Sequence, residues 1–151
     1  MSEVKKIAIG SDHAALEAKE KVIKHLQSRG YEVKDFTIID AEGRADYPQA
    51  GHAVARAVAG GEYPKGILLC GTGIGISIAA NRHPGIRAAL CLNVEFATLS
   101  RDHNDSNVLA MPGRAIIYDP HEKIVDAWLD TPFSGGERHV RRIQMIEDLN
   151  A

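Results

Sequence analysis

Aromatic residues are scarce and positive charge is in no excess: Phe, Tyr and Trp fill 5% of the 151 positions, and the net charge is −2. Stacking platforms and a broad basic field are what hold nucleic acid to a protein, so no nucleic-acid partner is expected. Cysteine is nearly absent. Cys70 and Cys91 are the two present and form no C-x-x-C pair, which excludes a disulfide framework and suits free thiols in a reducing cytoplasm. Long apolar runs are missing too. The uncharged stretch from Gly66 to Ala80 is broken by glycines and falls short of the roughly 20 residues a membrane helix needs. Met1-Ser2-Glu3-Val4-Lys5-Lys6 lacks the apolar core of a secretion signal. The expectation is a cytoplasmic protein that engages neither membrane nor nucleic acid.

With 44% hydrophobic and 25% charged residues, the chain has the balance of a globular protein, and its length suits one domain spanning 1–151. Lys6 to Gly10, Tyr31 to Ile38, Gly66 to Cys70, Ile86 to Leu92 and Asn107 to Met111 read as short strands, mostly apolar on both faces. Such strands are covered on both sides. Helical periodicity fills the intervals at Ala15 to Arg29, Tyr47 to Ala59, Val94 to Arg101 and Pro120 to Leu129, with Gly30 and Gly60-Gly61 as stop signals. The alternation predicts βαβ units in one five-stranded parallel sheet. A last helix, Glu137 to Leu149, has Val140, Ile143, Ile146 and Leu149 on one face, and Arg138, Arg141 and Arg142 in its first two turns. Arginines there oppose the helix macrodipole unless an anion or an acidic partner faces them.

The third strand runs Ile67-Leu68-Leu69-Cys70 and turns through Gly71-Thr72-Gly73-Ile74-Gly75 into another helix. Ligands of open α/β sheets bind outside the carboxyl ends of strands, and a glycine-rich turn opening a helix presents free N–H groups to an anion. Cys70 is thus placed either as a reactive thiol beside an oxyanion cradle or as a buried thiol before an ordinary turn. Ser11-Asp12-His13 ends the first strand in the same manner; Ser11 and Asp12 suit a helix N-cap as well as a site, whereas His13 suits acid–base or anion-binding work. Ser100-Arg101-Asp102-His103-Asn104-Asp105-Ser106-Asn107 reads as a polar loop before the fifth strand, either functional or solvated.

Other chemistries find little support. Counting G-x-G-x-x-G from Gly71 puts Ile76 at the third glycine, and counting from Gly73 puts Ile78 there, so the dinucleotide fingerprint fails. No Gly-Lys-Ser/Thr ends a P-loop. The seven histidines fall in no metal-ligand spacing, and no metal is expected. A nicotinamide-dependent oxidoreductase is correspondingly disfavoured.

Five segments in order carry a resemblance that spans essentially the whole chain. They are Ile7-Ala8-Ile9-Gly10-Ser11-Asp12-His13-Ala14, Asp46-Tyr47-Pro48, Gly66 through Asn81, Leu99 through Leu109, and Glu137-Arg138-His139-Val140-Arg141-Arg142. In these the chain resembles the family of ribose-5-phosphate isomerase B and the galactose-6-phosphate isomerase subunits. The resemblance implies a Rossmann-like three-layer α/β/α fold, no cofactor, and aldose–ketose isomerisation of a phosphorylated sugar. It further implies a homodimer, or a dimer of dimers, with active sites at the interface and the C-terminal helix used in dimerisation.

By that similarity Cys70 is the base that takes the proton α to the carbonyl, and Thr72 with the N–H groups of Gly71, Gly73, Ile74 and Gly75 stabilises the enediolate. His103, assisted by Asp12, opens the sugar ring. Tyr47 and Asn104 hold sugar hydroxyls, and the phosphate falls to His13, Arg114, Arg138 and Arg142, the last two reaching in from a neighbouring subunit. Ribose 5-phosphate is the expected substrate because Cys70 is present; allose 6-phosphate, galactose 6-phosphate or a tetrose phosphate, and a non-catalytic phosphosugar-binding module, are the alternatives. One departure is Ala15, where the family commonly has glycine; alanine suits the position unless φ there is positive.

Overall fold

A computed structural model describes residues 4–151; the sequence expectation for the first three residues lies outside them. Five parallel strands, β1 (Lys5–Ser11), β2 (Tyr31–Asp35), β3 (Gly66–Cys70), β4 (Ala88–Leu90) and β5 (Val108–Pro112), form one sheet in the order β2-β1-β3-β5-β4. Residues along each strand alternate between two cores, as pleating requires. Ile7, Ile9, Ile67, Leu69, Leu109 and Met111 face α1 (Leu16–Ser28), α4 (Val94–Asn104) and α5 (His121–Asp130), whose Val22, Leu26, Ala97, Ile124 and Trp128 complete that core. Ala8, Leu68, Cys70, Val108 and Ala110 face α2 (Tyr47–Ala59) and α3 (Ile74–Ala80), through Val54, Val58, Ile76 and Ala80. The result is the expected α/β/α sandwich.

Two expected strands are shorter than their apolar runs. β2 stops at Asp35 because Ser11 N–H donates to Thr37 Oγ1 (3.0 Å) and the buried Lys19 ammonium holds Asp35 Oδ2 (2.6 Å) and Thr37 Oγ1 (3.2 Å). Side chains there replace the ladder. β4, an edge strand, keeps three residues, and its outer side is met by the Asn81 amide, which donates to Ala88 O (2.9 Å) and accepts from Ala88 N–H (2.8 Å). Trp128 is fully buried, its indole N–H on Ser106 Oγ (2.8 Å).

The last helix, α6 (Glu137–Glu147), is amphipathic yet has no buried residue. Val140, Met145 and Ile146 on it remain 37%, 50% and 54% exposed. It touches the rest of the chain chiefly at α4.

Candidate active site

β1 and β3 are neighbours, and the chain leaves them for opposite faces of the sheet: α1 follows β1 on one side and α3 follows β3 on the other. The crevice between their carboxyl ends is where such folds bind ligands. Cys70 closes β3 there, 4% exposed, and its Sγ accepts the Gly73 N–H at 3.2 Å. Gly73 has φ 77°, and a Cβ on it would stand 2.5 Å from Leu90 Cδ1 and 2.9 Å from the Met111 carbonyl carbon. Only glycine fits that position, so the N–H that meets the sulfur is fixed by two independent constraints.

The turn is braced from both sides. Gly113 N–H donates to Cys70 O (2.8 Å), and Arg114 and Ala115 N–H both donate to Gly71 O (3.1 and 3.0 Å). Thr72, exposed at the mouth, accepts Ile74 N–H on Oγ1 (3.1 Å). Across the turn, Tyr47 opens α2 and lays its ring where a Cβ on Gly75 would come within 2.7 Å. Asp12 serves as the N-cap of the 3-10 turn His13–Ala15, Oδ1 accepting Ala14 N–H (2.9 Å) and Ala15 N–H (3.1 Å). The cap anchors the aspartate without occupying its second oxygen. His13 is exposed with Nδ1 3.1 Å from Ala45 O, and with Arg114 it lines an open cleft of about 860 Å³ that also includes Gly113, Lys21 and His121. Ala15 has φ −118°, so the departure from glycine carries no backbone strain; its methyl packs on Gly113, where a Cβ would lie 2.4 Å away.

The remaining site candidates lie elsewhere. His103 and Asn104 are not in a loop: α4 continues through them and ends at Asp105, whose φ is 45°. The expected polar loop is also partly core, since Ser100, Arg101 and Ser106 are buried, with Arg101 Nη1 donating to Ser106 O (2.6 Å) and its Nε to Thr131 O (3.2 Å). From Asn104 the chain enters β5 at Val108, paired with Gly66, whereas Cys70 pairs with Pro112. His103 and Asn104 therefore sit at the amino edge of the sheet and Cys70 at the carboxyl edge, with a five-residue strand of about 3.3 Å per residue between them. Asp12 and His103, grouped by sequence, are on opposite edges of one chain.

At the amino edge a second cluster forms. The His103 and His139 rings stack at 4.5 Å with 13° between planes, and Asp102 Oδ2 lies 3.5 Å from His103 Nε2. Partial burial, together with His103, Arg138 and Arg142, pushes the His139 pKa down. Arg138 and Arg142 are exposed and have no ion pair among the described residues. His139 escaped the sequence reading. Its signal was its place three residues before Arg142, on the same helical face.

The candidate residues thus fall into two groups: Asp12, His13, Tyr47, Cys70, the Gly71–Gly75 turn and Arg114 on one edge, and His103, Asn104, Arg138 and Arg142 on the other. The model of a family described as Ribose/Galactose Isomerase matches residues 7–146. The chain belongs to that family. Among its relatives, ribose-5-phosphate isomerase B of Escherichia coli is 50% identical over 143 residues, 95% of each chain. A solved ribose 5-phosphate isomerase from Thermotoga maritima superposes with a TM-score of 0.89 at 51% identity, covering 96% of this chain and 99% of that one. D-erythrulose-4-phosphate isomerase of Pectobacterium atrosepticum is 40% identical over 130 residues, 86% of each chain. The likeness to these isomerases extends over nearly the whole chain. Among the described residues, no helix is long and apolar enough to cross a membrane.

Proposed function

We propose that this protein interconverts ribose 5-phosphate and ribulose 5-phosphate through an enediolate, in an active site completed by a second copy of the chain. The observation that carries the reading is the Cys70 sulfur, held against the Gly73 N–H at the β1–β3 switch point in a member of this isomerase family.

The chemistry follows from the groups at each edge. His103, assisted by Asp12, takes the proton of the anomeric hydroxyl as the C1–O4 bond breaks and returns it to O4, giving the open aldehyde. The Cys70 thiolate then removes the C2 proton. Negative charge moves onto O1, where Thr72 and the N–H groups of the Gly71–Gly75 turn stabilise it as it develops. Transfer of the hydroxyl proton from O2 and return of a proton to C1 complete the ketose. Tyr47 and Asn104 bind sugar hydroxyls, and His13, Arg114, Arg138 and Arg142 bind the phosphate through charge-assisted hydrogen bonds.

A two-fold dimer brings the amino edge of one copy to the carboxyl edge of the other, twice over, as an isologous interface does. The uncovered apolar face of α6 and the exposed Ile74 (51%) and Ile78 (60%) beside the turn support that assembly. The substrate dianion then offsets the unfavourable arginines at the start of α6. Free thiols support a reducing, cytoplasmic setting.

A coupled isomerase assay across four-, five- and six-carbon aldose phosphates tests the reading. Turnover highest on ribose 5-phosphate is expected, in keeping with the higher identity to ribose-5-phosphate isomerase B than to D-erythrulose-4-phosphate isomerase; preference for a tetrose phosphate would replace the substrate while keeping the mechanism. Absence of turnover on all three classes leaves a binding module.

A further inference from the structure

We propose that His139 is a positioning residue for His103, holding that ring by stacking so that it is aligned for ring opening; this rests on the reading of His103 as the ring opener. His103 is the penultimate residue of α4, in a last turn closed by the left-handed Asp105, and its side chain is 40% exposed. Its ion-pair contact, Asp102 Oδ2, is at 3.5 Å, too far for a bond that fixes a ring. The stack with His139 is the contact that defines its plane. His139 is itself well held. Its backbone N–H donates to Gly136 O (3.0 Å), which fixes its place in the first turn of α6, and its ring Cδ2 lies over Gly136, 3.2 Å from where a Cβ would stand.

The charges around the stack are Asp102 from α4 and Arg138 and Arg142 from α6. Together with partial burial, the positive groups favour a neutral His139, and a neutral ring stacks face to face on a base without opposing its charge. Proton transfer is steep in geometry, so a ring left free to turn about its side-chain bonds loses rate without losing substrate.

The two halves of the reaction can be observed apart. Ribose 5-phosphate is a furanose and must open, whereas ribulose 5-phosphate has its O5 esterified and cannot close a five-membered ring on C2. Exchange of its C1 hydrogen with solvent deuterium therefore reports the Cys70 step alone. The experiment compares His139→Ala, His139→Phe and His103→Asn by ribose 5-phosphate turnover, by that exchange followed by proton NMR, and by affinity for inorganic phosphate.

His139→Ala should lower kcat on ribose 5-phosphate by about 10- to 100-fold while sparing exchange and phosphate affinity, and His139→Phe, which keeps an aromatic face, should recover most of that loss. Parallel losses in turnover and exchange, a weakened phosphate affinity, an unaffected kcat, or a phenylalanine variant as poor as the alanine one each overturns the proposal. An H103N protein that loses turnover and exchange equally removes the ring-opening assignment itself. An H103N split that His139→Ala does not share removes only the role of His139.

Discussion

Arg87 Nη1 lies 2.6 Å from Glu147 Oε1, and this pair fastens the far end of α6, a helix with no buried side chain, to the start of β4. The same guanidinium donates through Nε to Asn104 O and Asp105 O (both 3.1 Å) and through Nη2 to Asp105 O (3.0 Å). One side chain thus caps the carbonyls that end α4 and tethers α6, the two helices that carry His103, Asn104, Arg138 and Arg142.

The two ends of that brace should differ in cost. Glu147→Gln removes one partly exposed ion pair and should cost about 0.2–1 kcal/mol. Arg87→Ala also strands the α4 carbonyls and should cost about 2–3 kcal/mol. Urea unfolding at fixed protein concentration measures both, and equal losses would show that the carbonyl contacts contribute nothing.

The two thiols should behave as different chemical species. Burial pushes the Cys91 pKa up to about 11, with Ser100 Oγ at 3.9 Å acting the other way, so at pH 8 roughly one molecule in a thousand carries that thiolate. Iodoacetamide should leave Cys91 intact while alkylation of Cys70 tracks the loss of activity. Cys70→Ala should lower kcat by about 10²- to 10⁴-fold, and Cys91→Ala should leave it near normal; mass spectrometry of the peptides and steady-state kinetics decide.

Mixing should rescue what mutation separates. Cys70→Ala disables the carboxyl-edge half and Arg138→Ala/Arg142→Ala the amino-edge half, so each protein alone should be inactive or nearly so. Subunit exchange should restore one working site per mixed dimer. No recovery, with mixed dimers verified by native mass spectrometry, would place both halves of each site in a single chain.

Lys65 should make stability depend on pH. It lies over the Trp128 ring at 5.3 Å, and burial, with Arg101 nearby, lowers its pKa from 10.5 to about 8, against the opposing pull of Asp105 and Asp130. Between those values the unfolded chain keeps a proton that the folded chain has released, so stability rises with pH across that window and is level below it. Lys65→Met should stabilise the protein at pH 7 by about 1–2 kcal/mol after allowance for solvent screening, with the gain gone above pH 10.5. Thermal unfolding of both proteins across pH 7 to 10 reads the slope.

The sequence makes legible whatever is contiguous. The β3–α3 turn is one unbroken run, so Cys70, Thr72 and the glycines declare their shared site without any tertiary knowledge, and the helix α2 announces itself by Pro48 and Gly60. What depends on distant partners does not show. Arg101 and Ser106 look like loop residues because two of their partners, Thr131 and Trp128, are more than twenty positions away. β2 looks longer than it is because Lys19 lies a helix away from Asp35. The opposite placement of Cys70 and His103 was in fact readable: a residue just after a parallel strand is at the carboxyl edge, and one just before the next is at the amino edge.

The Asn81 amide on β4 bears on how copies of this chain can meet at all. By occupying both the N–H and the carbonyl of Ala88 on a three-residue edge, it leaves that side of the sheet with almost nothing to template another strand. Continuous sheets built across two molecules are thereby disfavoured at this edge, which leaves β2 as the edge where another strand could add.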